Sequence, residues 1–230
     1  MKDLITPLLR RVPLLESLPE DQLEKLRACS RLRQHARGHT LFVQGQPATT
    51  FFLVVEGWIC IYRAAPDGGR TVLHVLRRGE TFAEPAALTL RHYPATAEAA
   101  TDSTVLEIPA RFLEEAVRQD PETAIRVISA LSLRLRSMVG ELERLRMKSA
   151  TQRIGCFLLD LAPRDEGTVL VELPFDKTLV AARLGMQPES LSRALARLKP
   201  YGVKTNRGPV VEIHDVGTLR EFCERSGEMS

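Results

Sequence analysis

The chain has 230 residues, 44% of them hydrophobic and 27% charged, which is ordinary for a soluble globular protein of one or two domains that can bury a core. Its net charge of +3 does not by itself announce a nucleic-acid binder. The distribution says more: between Phe175 and Arg207 seven basic residues (Lys177, Arg183, Arg193, Arg197, Lys199, Lys204, Arg207) face two acidic ones (Asp176, Glu189), the local excess expected where a phosphate backbone is approached.

Residues 4–30 read as helical. Leu18-Pro19-Glu20-Asp21-Gln22-Leu23 opens a helix with proline near its first turn and acids at the positive dipole end, and Leu23, Leu26 and Cys29 then share a face. From about Arg31 to Pro109 short apolar runs are broken by glycine. Thr40–Val43, Phe51–Val55, Trp58–Arg63, Thr71–Leu76 and Thr104–Ile108 are of strand length and rich in β-branched or aromatic residues. Pro66-Asp67-Gly68-Gly69 supplies a turn. This spacing suggests a sandwich, barrel or β-roll.

Pro121 opens the longest helix. Ala124, Ile128, Leu131, Leu135, Met138, Leu142 and Leu145 recur at alternating steps of four and three. A helix buried on one side of a single domain would show a similar stripe. The charged flanks (Arg134, Arg136, Glu141, Glu143, Arg144, Arg146) favour instead a two-chain coiled coil. The pattern breaks at Lys148-Ser149-Ala150-Thr151, where a hinge is expected. Beyond it come a helix at 151–161, a strand at 168–173, and a helix capped by Asp176 and running to about Leu184. A turn at Gly185, a helix from Pro188 that ends before Pro200, and a hairpin from Val203 to Ile213 around Asn206-Arg207-Gly208-Pro209 complete a winged helix-turn-helix.

The stretch Leu184–Leu198 carries most of the functional information. Glu189 can accept from the N4 amino group of cytosine, and Arg193 can grip the O6/N7 edge of guanine with two bonds. With Ser192 they form the expected base-reading set. Lys177, Thr178, Arg197 and the wing residues Lys204 and Arg207 are expected on phosphates, with Gln187, Pro188 and Ser190 in auxiliary positions. Four scattered cysteines (Cys29, Cys60, Cys156, Cys223) contain no CxxC pair, which argues against a zinc site or an iron–sulfur cluster. No apolar stretch approaches the roughly 18 residues that cross a bilayer, and the N-terminus lacks a signal-peptide layout, so a cytoplasmic location is expected. No nucleophile–base pair or phosphate loop with supporting context points to an enzyme.

The order of these parts resembles bacterial transcription regulators of the cAMP receptor protein/FNR superfamily over nearly the whole chain. The sensor echoes are Gly38-His39-Thr40-Leu41-Phe42, Gly45, Phe52-Leu53-Val54, Gly57, Gly79 and Thr81-Phe82-Ala83-Glu84; the C-terminal one is Val180–Met186 through Arg193. The resemblance implies an α+β chain with a β-roll effector domain (1–120), a long dimerisation helix (121–148) and a winged helix-turn-helix (149–230), acting as a homodimer with RNA polymerase as partner. Cyclic-nucleotide binders of this fold hold the phosphate with an Arg-Ser pair where this chain reads Tyr93-Pro94-Ala95, so cAMP is not expected as effector. FNR-type proteins carry the same Glu-x-x-Ser-Arg face, which implies a TTGAT…ATCAA operator. Thr81–Glu84, Lys148–Arg153 and Met186–Arg193 resemble the Dnr-type branch, which implies nitric oxide sensed through haem, with His74 and His92 as candidate ligands. The effector pocket is expected between the roll and the long helix, lined by Phe82, Glu84, Leu88, Tyr93 and Leu133. The competing readings are a cyclic-nucleotide or other small-molecule regulatory module, and a DNA-binding dimer that needs no effector.

Overall fold

The computed structural model describes residues 5–16, 18–64, 70–147, 149–173, 177–205 and 210–224, with backbone alone at 13, 14, 130, 134 and 137–147. The chain divides into two compact units, Met1–Ser137 and Met138–Ser230. The division falls inside the long helix rather than at its end.

In the first unit the expected N-terminal helix is three: α1 (Ile5–Leu9), α2 (Pro13–Glu16) and α3 (Glu20–Cys29), the last beginning where the proline and acids place it. Eight strands follow: β1 (Arg31–His35), β2 (Thr40–Phe42), β3 (Thr50–Glu56), β4 (Trp58–Ala64), β5 (Arg70–Arg77), β6 (Thr81–Phe82), β7 (Thr96–Ala99) and β8 (Ser103–Pro109). They form two antiparallel sheets, ordered β1-β8-β3-β6 and β2-β7-β4-β5. Pro66–Gly69, read as the β4–β5 turn, lies outside the described residues. Sequence reading did not find β1, whose Arg31-Leu32-Arg33-Gln34-His35 is polar because it is an edge strand and needs only one apolar contact. Two very short strands, β6 and β7, and the helix α4 (Ala110–Gln119) also went unread.

The continuous apolar run of β3 is explained by burial on both faces. Phe51 and Leu53 join Leu106, Ile108 and the helices α1, α3 and α4 in an outer core. Phe52 and Val54 point the other way and pack with Phe42, Ile59, Phe82 and Tyr93 inside the roll. In that inner core Phe42 stacks on Tyr93 at 3.8 Å and Phe52 on Phe82 at 5.0 Å between ring centroids. Gly57 makes the β3–β4 turn possible. Its φ is +79°, and a Cβ there would stand 2.7 Å from the Cα of Ser103. Gly57→Ala is therefore expected to destabilise this unit by at least about 2 kcal/mol, read as a lowered thermal midpoint.

The helix α5 (Pro121–Met147) starts at the expected proline. Val127 is buried in the outer core, whereas Ile128, Leu131 and Leu135 of the predicted seam are exposed. The side chains of Met138, Leu142 and Leu145 lie outside the described residues. The second unit contains α6 (Ala150–Leu161), β9 (Val169–Glu172), α7 (Lys177–Arg183), α8 (Pro188–Arg197), β10 (Val203–Thr205), β11 (Val210–Ile213) and α9 (Val216–Glu224). The break at Ser149 has a local cause: Ser149 and Gln152 form a reciprocal capping box that starts α6. The β10-β11-β9 sheet is the wing, and α9 is an addition the sequence reading did not contain. Gly155 of α6 permits close approach of α9, since a Cβ there would sit 2.6 Å from Cys223 Sγ.

Candidate DNA-reading head and sensor pocket

Between α7 and α8 the chain turns at Gly185, whose φ of +62° suits glycine. The amide of Met186 donates to the carbonyl of Ala181 at 3.0 Å and closes the turn. Gln187 then takes the N-cap position with Pro188 at the first helical turn, where its missing N–H costs nothing. Leu191, Ala194, Leu195 and Leu198 are buried against the rest of the unit. That anchoring leaves the opposite face outward: Glu189, Ser192, Arg193 and Arg197 are all exposed. Arg193 makes one side-chain contact at its own helix, a 3.4 Å hydrogen bond from Nη2 to Ser190 Oγ. Its guanidinium is thus only loosely held. Lys177 and Thr178 are exposed at the start of α7, Lys204 is exposed on β10, and Gln187 is exposed at the cap. Arg207 and the capping residue Asp176 lie outside the described residues.

In the first unit a pocket of about 450 Å³ lies within the roll, with Ile61, Leu76, Phe82, Glu84, Tyr93 and His74 among its walls. None of its lining residues belongs to α5, the helix beside which the effector pocket is expected from the sequence. Leu133 stands 66% exposed on α5, and Leu88 packs against the outer core instead. The reason is local: after β6 the chain enters one wide helical turn, Ala86–Leu90, which directs Ala86 inward and Leu88 toward the N-terminal helices. Two left-handed residues bracket that turn, Ala83 (φ +67°) and Arg91 (φ +62°). Such backbone costs about 1–3 kcal/mol each and is a mark of sites where the surroundings impose geometry.

Of the haem-ligand candidates, His74 lines the pocket and His92 does not; the His92 ring is exposed with Nδ1 2.9 Å from the carbonyl of Leu90. The lining contains no lysine or arginine. The cation near the loop, Arg91, is paired with Glu114 at 2.9 Å. As a haem site the lining residues therefore supply one imidazole, that of His74, and no cation of their own to meet the propionates. The Tyr93 hydroxyl is committed to the carbonyl of Thr50 at 2.8 Å.

Glu84 is a half-buried carboxyl among these largely apolar walls, and it accepts a hydrogen bond from the Thr81 hydroxyl. Burial pushes its carboxyl above the ordinary carboxylate range, opposed by that hydrogen bond and by its own backbone amide. A carboxyl whose folded pKa is raised contributes its full stability below the unfolded value and loses it as pH rises through the folded value. Glu84→Gln does not ionise. It is expected to melt higher than the parent protein at pH 7, with the gain gone below about pH 4, the unperturbed carboxyl range. Melting curves at the two pH values check this.

The fold and these two sites define a class: regulators that carry a β-roll of the sensor type and a DNA-binding winged helix in one chain. Residues 32–120 match the cyclic nucleotide-binding domain and residues 152–222 the Crp-like helix-turn-helix domain. A solved structure from Ruegeria pomeroyi DSS-3, provisionally described as a cyclic nucleotide binding protein, is 39% identical, with coverage of 97% of this chain and 99% of that one and a TM-score of 0.84. DNR from Pseudomonas aeruginosa is 34% identical over 94% of this chain and 96% of its own, with a TM-score of 0.59. The cyclic AMP receptor protein of Thermus thermophilus is 27% identical over 92% of this chain and 96% of its own. The chain belongs to the CRP/FNR family of transcription regulators, which are DNA-binding proteins and not enzymes.

One contact near the pocket that sequence reading missed is made by Arg63. It lies on β4 two residues beyond Ile61, is exposed, and its Nε donates to the carbonyl of Pro94, a pocket-lining residue, at 3.1 Å. The signal was present: a cation two residues beyond the apolar Ile59 and Ile61.

Proposed function

We propose that this protein is a homodimeric transcription regulator that reads an FNR-like palindrome, TTGAT…ATCAA, under control of a small molecule held in the roll. The observation that carries the reading is the outward face of α8, with Glu189, Ser192 and Arg193 exposed and the opposite face buried. Glu189 and Arg193 match the donor and acceptor edges of a C·G pair, while Lys177, Thr178, Arg197 and Lys204 meet phosphates and set register. A dimer joined through the α5 seam presents two such helices about 34 Å apart, which demands a two-fold symmetric operator. The effector shifts the dimer between two placements of its reading heads, and RNA polymerase reads the result. Titration of purified protein with a labelled TTGAT…ATCAA duplex, against the same duplex with both half-sites inverted, tests this. Equal affinity for the two duplexes at physiological salt defeats it.

The effector is not cAMP, because the loop that would hold the cyclic phosphate offers Pro94 and Ala95, neither of which carries a charge or a hydroxyl. Calorimetry with micromolar binding of cAMP overturns this. A second reading, nitric oxide sensed through haem, is favoured by one observation, the position of His74 on the pocket wall. Haem would then supply the gas-binding iron, with His74 as its protein ligand. A histidine-ligated Soret band that His74→Ala abolishes supports it, and an unchanged free-hemin spectrum defeats it.

A further inference from the structure

We propose that the roll pocket takes an amphipathic anion, an apolar body with one acid group, and that Arg63 is the residue that holds the acid. The inference rests on the reading that this pocket is the effector site. It adds the chemical class of ligand and a binding residue outside the loop where the family resemblance places the phosphate holder.

Three observations carry it. First, register carries β4 past the pocket wall: Ile59 pairs with Leu76 and Ile61 with His74, and beyond a register shift between Ile61 and Tyr62 the exposed Arg63 pairs with Thr71, toward the β4–β5 end. Ile61, His74 and Leu76 all line the pocket. Second, the guanidinium is positioned by a neutral partner. Its Nε is tied to the Pro94 carbonyl at 3.1 Å, and among the described residues no carboxylate pairs with it. The neighbouring arginines contrast with it: Arg70 is bound to Glu98 at 2.9 Å and Arg91 to Glu114 at 2.9 Å. A fixed Nε leaves the terminal nitrogens to make the forked contact that carboxylates and phosphates accept. Third, the walls below it are apolar, with Ile61, Leu76, Phe82 and Ala86, and two large apolar residues of the lining, Leu73 and Leu90, remain exposed. Those walls suit a hydrocarbon or aromatic body, with His74, Thr81 and Glu84 as the polar side chains among them.

The test uses two fluorescent probes with one ring skeleton. 1-Anilinonaphthalene-8-sulfonate carries an acid group, and N-phenyl-1-naphthylamine lacks it. The full-length protein is expected to bind the sulfonate about tenfold or more tightly than the neutral amine, the size of a charge-assisted hydrogen bond. Arg63→Gln is expected to remove that preference while leaving affinity for the neutral amine within about twofold, and Arg63→Lys to keep part of it. Because Arg63 is exposed, neither change threatens the fold. Competition by 1-naphthoate and by 1-naphthyl phosphate then assigns the acid as carboxylate or phosphate. Equal binding of the two probes, a preference that survives Arg63→Gln, or displacement by cAMP as strong as by 1-naphthyl phosphate overturns the proposal. If the sulfonate binds through Arg63 but leaves operator affinity unchanged, the anion site stands and the effector reading of the pocket falls.

Discussion

Arg193→Ala is expected to weaken binding to the palindrome by about 1–3 kcal/mol per half-site and to relax discrimination at one guanine in each. Over two half-sites that is about 30-fold to 10⁴-fold in affinity. The side chain is exposed and among the described residues its hydrogen bond is to Ser190, so its loss costs the free protein little and the effect falls on the complex. Arg193→Lys keeps the charge but not the two-pronged geometry. It is expected to retain phosphate-driven, salt-dependent affinity while losing the guanine preference. Binding titrations against operators substituted at each position of one half-site check both. A specificity profile unchanged by Arg193→Ala removes this residue from base reading.

Ile128→Glu combined with Leu135→Glu is expected to convert a dimer into a monomer and to lower operator affinity by about 10²–10⁴-fold, because the second half-site then loses its tethered partner. In the single chain these residues are 62% and 64% exposed, so carboxylates there remain in water and the fold is kept. In a dimer joined along α5 the same changes bury four like charges along one seam, which no partner residue offsets. Val127, one position away, faces the outer core, and Val127→Glu is the contrasting variant that unfolds the first unit instead. Sedimentation equilibrium separates the outcomes. A dimer that survives both glutamates places the interface elsewhere.

Some of this molecule was open to reading from the residues because local physics decides it. Pro19 with Glu20 and Asp21, Pro121, and Gln187-Pro188 start helices where they stand, since capping and the missing proline N–H act within one turn. Gly185 marks the turn of the reading head for the same reason. The β-rich middle was legible from its alternating and doubly apolar runs. Elements that draw their stability from neighbours were not. The edge strand β1 is too polar to announce itself, β6 and β7 are too short, and α4 is recognised by the core it meets rather than by its ends.

The roll cavity divides in the same way. Phe82, Glu84 and Tyr93 line it together, while Leu88 and Leu133 do not. A pocket wall depends on which face of a wide helical turn points inward, and the left-handed residues Ala83 and Arg91 settle that without any distinctive residue type. Arg63 was hidden because its significance comes from the register between β4 and β5 and from a carbonyl 31 residues away. The residues alone determined the class of protein, the exposed polar face of α8 and the apolar stripe of α5, because helix period and capping are written within a few positions of each other. Which residues line the roll cavity, and that Arg63 meets the carbonyl of Pro94, only the tertiary structure decided, because those contacts join residues whose spacing along the chain carries no period.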